Sequence, residues 1–210
     1  MREIWFALLF VAAAAGIVPA AALAPKPPAD AASLLAVAPH DRVLGKPDAP
    51  ITILEYASLS CPHCAEFAKN VLPKLKEKWI DTGKAKLVMR DFPHNEPALL
   101  AGTVARCVPP ERYFPLVEML FETQDQWAFA QDTRGSLERL VRVAGISKKD
   151  FDACLANKQA ENEVLQSRLS ASHGLGVSSI PTFFINGKKL EGTPTEQAFE
   201  QALSGVAPKS

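Results

Sequence analysis

The sequence predicts an α/β fold in which a small sheet is interrupted by a long, all-helical insertion. Two strand-like segments, 51–57 and 85–92, flank a helix-like segment at 65–79. Helix-like patterns then run from residue 96 to residue 174, before strand-like residues return at 182. A chain of 210 residues is long enough for one large domain that carries such an insertion.

Composition indicates a folded protein and argues against a nucleic-acid partner. Apolar residues make up 48% of the chain, which is typical of a globule with a core. Lysine plus arginine and aspartate plus glutamate are balanced at 23 each. No basic excess is left to neutralise phosphates, so the sequence predicts no nucleic-acid binding.

Residues 1–24 resemble a cleaved export signal. Arg2 precedes an apolar run at 4–18, and small residues with an A-x-A pattern follow at 20–24. The alternative is an uncleaved membrane anchor, because the apolar stretch is long enough to cross a bilayer. Either outcome places the remaining chain in an extracytoplasmic space, where disulfides are permitted and an even count of 4 cysteines fits.

Local patterns predict the elements that precede the insertion. Residues 25–40 are rich in Ala and Pro and are expected to form a tether without a fixed fold. A short edge strand is predicted at 41–45 and a buried central strand at 51–57, within which Glu55 is the anomaly. The following helix should kink at Pro73, and with the next strand it forms a βαβ unit.

Helical periodicity predicts five helices within the insertion, and strand and turn signals follow it. The helices are expected at residues 99–107, at 113–127, at 137–143, from the N-cap Ser147, and at 157–169. The chain ends with a strand at 182–185, the hairpin turn Asn186-Gly187, a strand at 188–190, and a helix at 196–203 capped by Thr195.

The clearest chemistry belongs to Cys61, Pro62, His63 and Cys64, at the start of the first long helix. Unpaired N–H groups and the macrodipole at a helix N-terminus stabilise a thiolate at Cys61. Pro62 suits the first turn because its missing N–H would have no partner there, and a protonated His63 adds positive charge. Cys64 lies one turn later and can close a disulfide with Cys61. A pair whose reduced form is stabilised in this way is a strong oxidant.

The alternatives are a structural zinc site and an inert disulfide. Zinc sites usually need a second close pair of Cys or His ligands. Cys107 and Cys154 stand far apart in the sequence, and the remaining histidines, His40, His94 and His173, show no ligand spacing. The sequence therefore predicts reversible redox chemistry and no metal site.

Two stretches, 54–64 and 176–187, resemble the active-site region and the cis-proline segment of DsbA-type thiol:disulfide oxidoreductases of bacterial envelopes. The order of the predicted elements is similar as well, so the resemblance covers residues 41 to about 205. It implies a thioredoxin-like fold with an inserted all-helical domain. The implied units are a discontinuous thioredoxin-like domain at 41–95 and 175–205, and an inserted helical domain at 96–174.

The resemblance implies a role for each residue at a matching position. Cys61 is the exposed nucleophile that forms a mixed disulfide with the substrate, and Cys64 is the buried partner that resolves it. Pro181 is expected to be cis and to face the active-site disulfide, although a trans turn is the commoner state of such bonds. Ile180 before it would offer backbone groups to an extended substrate strand.

Glu55 stands where relatives carry a buried acidic residue. Burial of a charge in a central strand is costly, so the pKa of Glu55 should rise. The carboxyl could then pass a proton to or from Cys64. The alternative is a strand-end glutamate that is paired with a lysine or an arginine.

Cys107 and Cys154 both fall within the predicted insertion. We expect them to pair in an oxidising compartment, where such a disulfide would stabilise the insertion. A second disulfide of this kind resembles members of the DsbA type from alpha-proteobacteria.

The sequence thus predicts an exported, periplasmic oxidoreductase that introduces disulfides into secreted proteins through Cys61 and Cys64. The resemblance implies unfolded or reduced secreted proteins as substrates, a membrane quinone-linked partner for reoxidation, and no cofactor beyond the disulfide. A monomer is expected. The alternatives are a disulfide isomerase or reductase and, from another class, a Cu(I)-binding protein that uses Cys61, His63 and Cys64.

Overall fold

A computed structural model describes residues 30–207, which form a five-stranded mixed sheet with helices on both faces. The predicted export signal at 1–24 and the first part of the predicted tether lie outside the described residues. The strands are β1 (Arg42–Leu44), β2 (Ile51–Ala57), β3 (Ala85–Asp91), β4 (Thr182–Ile185) and β5 (Lys188–Lys189).

Ten α-helices are present in this part of the chain, and none of them is long and apolar enough to cross a membrane. They are α1 (Ala31–Leu35), α2 (Pro62–Asn70), α3 (Leu72–Leu75), α4 (Glu96–Cys107), α5 (Pro110–Glu122), α6 (Gln124–Trp127), α7 (Thr133–Val143), α8 (Lys148–Ala156), α9 (Lys158–Leu175) and α10 (Glu196–Val206).

The sheet order is β1-β3-β2-β4-β5, with β2 parallel to β3 and all other neighbours antiparallel. Tyr56, near the end of β2, pairs with Arg90 of β3 and with Thr182 at the start of β4. The loops that follow β2 and β3 and the loop that precedes β4 therefore meet at one edge of the sheet.

Both faces of the sheet are buried, which explains the nearly continuous apolar run of β2. On the first face, Ile53 and Phe183 pack against Phe67 of α2 and Phe199 of α10. Alternate residues point to the opposite face, where Tyr56 and its neighbours pack against the end of α9.

The predicted helix at 65–79 is divided in the structure. Helix α2 ends at Asn70, α3 begins at Leu72, and a π-helical turn follows at Lys76–Ile80. Pro73 lies in the first turn of α3. A proline is tolerated there but not in a helix interior, because it lacks the N–H that the interior requires and its ring clashes with the preceding turn. The chain therefore restarts its helix close to the predicted kink.

The insertion consists of α4 to α9 and shares its core with the sheet edge that carries Cys61. Buried Tyr113, Trp127 and Phe151 belong to the same apolar cluster as Cys61 and Cys64. Helix α4 is also held to β3 by a buried ion pair, in which Arg106 Nη2 lies 2.7 Å from Asp91 Oδ2. The predicted domain boundaries stay a prediction, because this core is continuous across them.

The segment before β1 is ordered from residue 30, contrary to the expectation of a tether without a fixed fold up to residue 40. Asp30 caps α1 by accepting a hydrogen bond from the Ser33 N–H at 2.7 Å. The Arg90 guanidinium donates to the Leu34 carbonyl, to the Ala36 carbonyl at 2.7 Å, and to the Asp41 carboxylate at 2.6 Å. A guanidinium that is largely removed from water needs such acceptors, and these carbonyls supply them.

Cys107, at the end of α4, and Cys154, in α8, form a disulfide with a Cα–Cα distance of 5.9 Å. The crosslink therefore ties together two helices that are 47 residues apart in the sequence.

We expect the double variant Cys107→Ala/Cys154→Ala to lose about 4 kcal/mol of unfolding free energy, because an uncrosslinked chain gains that loop entropy when it unfolds. Urea unfolding would measure the loss, with the Cys61–Cys64 pair kept oxidised in both proteins. Equal unfolding free energies for the variant and the wild type would contradict a stabilising role for this disulfide.

Candidate active site

Cys61 is the N-cap of α2 and lies at the sheet edge where three loops meet. The Cys61 N–H donates to the Ser58 carbonyl at 3.0 Å, which closes a turn between β2 and α2. Pro62 occupies the first turn of α2, where its missing N–H leaves no donor unsatisfied. Cys61 therefore stands at the N-terminus of α2, where unpaired backbone N–H groups favour a negative charge.

These donors stabilise the thiolate form of Cys61. The Cys64 thiol donates a hydrogen bond to Cys61, and the backbone N–H groups of Cys64 and His63 add to it; burial opposes them, and the pKa of Cys61 falls to about 6. A large fraction of Cys61 is then thiolate at neutral pH, which is the form that reacts with disulfides.

Cys61 is less accessible than an exposed nucleophile, and the prediction on this point was wrong. Its exposed fraction is 7%, against 0% for Cys64. The loop before β4 covers it, since the Cys61 sulfur lies 3.9 Å from the Ile180 carbonyl oxygen. Only a small part of Cys61 is therefore open to solvent.

The Ile180–Pro181 peptide bond is cis, and both residues are partly buried. The Thr182 hydroxyl donates to the Ser179 carbonyl at 2.7 Å and fixes the loop just before β4. The backbone of Ile180 is thereby placed directly against the reactive sulfur.

His63 points away from the cysteines toward solvent. Its side chain is 79% exposed, and its Nδ1 lies 3.0 Å from the Glu66 carboxylate. The hydrogen bond and the charge of Glu66 raise the pKa of His63, and the charge of Cys61 adds to this shift. The His63 side chain is thus paired with Glu66, while its backbone N–H contributes to the lowered pKa of Cys61.

Glu55 and Cys64 lie below Cys61 in the interior. Glu55 is 3% exposed, and burial raises its pKa to about 8. Its Oε1 atom has no hydrogen-bond partner among the described residues, so the alternative of a paired strand-end glutamate is wrong. The pKa of Cys64 is raised by its hydrogen bond to Cys61, by burial and by the negative charge of Glu55. The two cysteines are therefore shifted in opposite directions.

Asn95 and His94, in the loop after β3, contact the turn before Cys61 through hydrogen bonds. These contacts were not predicted from the sequence. Asn95 Oδ1 caps α4 by accepting from the Ala98 N–H at 3.0 Å, and it also accepts from the Ser60 hydroxyl at 2.7 Å. Its amide nitrogen therefore faces His94 Nε2, which accepts at 3.2 Å. His94 Nδ1 lies 2.8 Å from the Ser58 hydroxyl. An Asn just before Glu96-Pro97 is a helix-capping signal that could have indicated the cap of α4, but not the contact with Ser60.

Gln124 is a second residue near Cys61 that was not predicted from the sequence. It is 5% exposed, and its side-chain amide donates to the carbonyls of Leu59 at 2.7 Å and of Cys61 at 3.1 Å. Its position inside a predicted continuous helix gave no sign that it reaches the active-site loop.

Metal-ligand groupings are absent from residues 30–207, where no three His, Cys, Asp or Glu side chains cluster suitably. Cys61, His63 and Cys64 do not converge, because the His63 ring lies in solvent and Cys64 lies in the core.

Comparison with known proteins identifies the family. The thioredoxin family pattern matches residues 37–204. The crystal structure of alpha-DsbA1 from Wolbachia pipientis is 31% identical, with a TM-score of 0.78, and the match covers 84% of this chain and 95% of that one. The chain belongs to the DsbA-type proteins of the thioredoxin family. The predicted resemblance and the predicted thioredoxin-like fold are both confirmed.

Other similar proteins share the fold or part of the length. BdbD from Bacillus subtilis is 23% identical, with a TM-score of 0.72 over 79% of this chain and 92% of that one. A relative from Rickettsia bellii, named a protein-disulfide oxidoreductase, is 30% identical over 153 residues, or 72% of this chain and 59% of its own. The chain spans 54% to 64% of the length of five such Rickettsia relatives.

The buried Glu55 should make stability depend on pH. An unfolded Glu55 loses its proton near its ordinary pKa of 4.5, whereas the folded one keeps it up to about 8. The stability that the protonated carboxyl provides is therefore complete below the lower value and is lost as pH rises to the upper one. Between about pH 5 and pH 8, we expect the wild type to lose on the order of 4 kcal/mol relative to Glu55→Gln.

Urea unfolding of the oxidised protein tests this expectation, because Cys61 and Cys64 do not titrate as a disulfide. Glu118→Gln, on the exposed face of α5, is the matched control and should follow the wild type. Parallel pH curves for the wild type and Glu55→Gln would show that Glu55 ionises normally in the folded protein.

Proposed function

We propose that this protein is an exported thiol:disulfide oxidoreductase that introduces disulfides into secreted proteins by exchange through Cys61 and Cys64. One observation carries the proposal: the pKa of Cys61 is lowered while that of its partner Cys64 is raised. Such a pair releases Cys61 readily as a thiolate and retains the proton on Cys64, so the reduced form is favoured.

The first step begins from the Cys61–Cys64 disulfide. A substrate thiolate attacks the Cys61 sulfur, which is the more accessible of the two. A substrate–Cys61 bond forms, the Cys61–Cys64 bond breaks, and the electron pair leaves with Cys64 as a thiolate. Because the Cys64 environment strongly favours its protonated form, this thiolate takes up a proton at once.

The second step releases the oxidised substrate. Another thiolate of the substrate attacks the substrate sulfur of the mixed disulfide and expels Cys61. The low pKa of Cys61 makes it a good leaving group. The substrate has then lost two electrons and two protons. The Cys61–Cys64 pair has gained both electrons, and Cys64 has gained one proton. The other proton goes to solvent or to Cys61, according to the pH.

Neighbouring residues support these steps. The backbone of Ile180, held by the cis bond to Pro181 and by Thr182, can pair with an extended substrate segment beside Cys61. Glu55 holds a proton until about pH 8 and lies within electrostatic reach of Cys64, so it can supply the proton that the departing thiolate needs.

The chemistry also defines partners. Reduced or unfolded secreted proteins are the substrates, and a membrane quinone-linked protein reoxidises the pair. The disulfide itself is the redox group, and the protein acts as a monomer. An extracytoplasmic location, the periplasm, is supported by the signal-like sequence at 1–24 and by the second disulfide at Cys107.

The equilibrium of the Cys61–Cys64 pair with glutathione tests the direction of exchange. We expect the pair to remain reduced in mixtures where much of the glutathione is oxidised, because thiolate stabilisation favours the reduced protein. Mass spectrometry of alkylated peptides would follow this pair separately from Cys107 and Cys154. A pair that stays oxidised until glutathione is strongly reducing would instead indicate a reductase.

The proton role of Glu55 makes a separate kinetic prediction. Glu55→Gln should reduce a dithiol peptide's rate of exchange by about tenfold or more near neutral pH, because the Cys64 thiolate loses its nearby proton donor. Stopped-flow fluorescence would measure the rate, with Glu118→Gln as control. A wild-type rate across neutral pH would rule out proton transfer by Glu55.

A further inference from the structure

The buried amide of Gln124 is the strongest feature that the proposed reaction leaves unused. It lies in an apolar cluster that includes Leu59, Cys61 and Trp127, where an amide is costly unless it is hydrogen-bonded. Its two donated bonds go to backbone carbonyls on either side of the nucleophile.

The side chain of Gln124 faces the active-site loop because the helix is interrupted just before it. Apolar spacing alone predicts one continuous helix at 113–127, yet the structure ends α5 at Glu122 and begins α6 at Gln124. The Trp127 indole donates to the freed Leu120 carbonyl at 2.9 Å, and the Thr123 hydroxyl donates to the Met119 carbonyl at 2.7 Å. These side chains satisfy the carbonyls near the break, and the chain turns so that Gln124 faces the active-site loop.

The two carbonyls that accept from Gln124 lie in the backbone just before and just after the Cys61 side chain. The Leu59 carbonyl belongs to the peptide unit that enters Ser60, and the Cys61 carbonyl belongs to the unit that enters Pro62. The Cys61 carbonyl also accepts the first hydrogen bond of α2, from the Ala65 N–H at 3.1 Å. One side chain thus fixes the turn before the nucleophile and the helix start after it.

This geometry governs the donors that face the Cys61 sulfur. The backbone N–H groups of His63 and Cys64 lower the pKa of Cys61, and their orientation is set by the first turn of α2. Without the Gln124 bonds, the Leu59 carbonyl loses this donor and the Cys61 carbonyl keeps only the Ala65 N–H, so the turn before α2 is held less firmly against the helix start.

We propose that Gln124 is a positioning residue of the inserted helices, which clamps the Leu59–Ser60 and Cys61–Pro62 peptide units together and thereby sets the reactivity of the nucleophile. The inference rests on the proposed function for its consequence in disulfide exchange. The clamp itself concerns only the Cys61 thiol and can be measured without any substrate.

Replacement of Gln124 by Met keeps the length of the side chain and removes both donors. We expect the pKa of Cys61 in Gln124→Met to rise by about half a unit to one unit, since the thiolate loses aligned donors. The equilibrium constant with glutathione should shift about threefold to tenfold toward the protein disulfide. Thiolate absorbance against pH and alkylated-peptide mass spectrometry measure the two quantities.

Thr123→Val is the matched control. It removes one hydrogen bond at the same helix break, to the Met119 carbonyl, and has no contact with the Cys61 loop. Its melting temperature should fall while its Cys61 pKa stays at the wild-type value. A Gln124→Met protein that behaves in the same way, with a lower melting temperature but an unchanged Cys61 pKa, would overturn the proposal.

A measurement on the wild type covers the case in which Gln124→Met does not fold. The side-chain amide protons of Gln124 should exchange with solvent far more slowly than those of exposed Gln126 in the same helix. Equal exchange rates would show that the clamp is not formed. If the Cys61–Cys64 pair of the wild type acted as a reductant, the proposed function would be contradicted. The comparison of the Gln124 and Gln126 exchange rates would still test the clamp.

Discussion

The active site depends on the polar groups at the start of α2 that stabilise the Cys61 thiolate. A thiol and two backbone N–H groups outweigh the burial that would otherwise keep Cys61 protonated. None of these donors is special in itself; each is an ordinary part of the first turn of a helix. What makes the site reactive is that the chain holds this helix start still beneath a cis-proline loop.

Three parts of the fold provide that rigidity. The central strand β2 leads directly into the Cys61 turn and is buried on both faces. The loop before β4 lies across the sulfur through Ile180, and the inserted helices approach from the other side through Gln124. The insertion is therefore part of the site's support, since its apolar core includes both active-site cysteines.

Much of the fold could be predicted because the relevant signals are local. A nearly continuous apolar run indicated β2, helical apolar spacing indicated the helices of the insertion, and Cys61-Pro62-His63-Cys64 marks its own chemistry. The contacts of Gln124 and Asn95 could not be predicted, because they depend on distant backbone that only the folded sheet edge brings near. The fixed fold of the segment before β1 was not predicted for the same reason. Its acceptor groups are held by Arg90, which lies 49 residues beyond Asp41 in the sequence.

The Cys107–Cys154 crosslink has a consequence for biosynthesis. Four cysteines allow three pairings, and the chain is made from its N-terminus, so Cys107 emerges after Cys61 and Cys64 but before its own partner. Correct pairing must wait until α8 docks on α4, or it must be restored later by reshuffling of a wrong bond. The protein is thus itself a client of the chemistry proposed for it, and its yield will depend on the oxidant present while it folds.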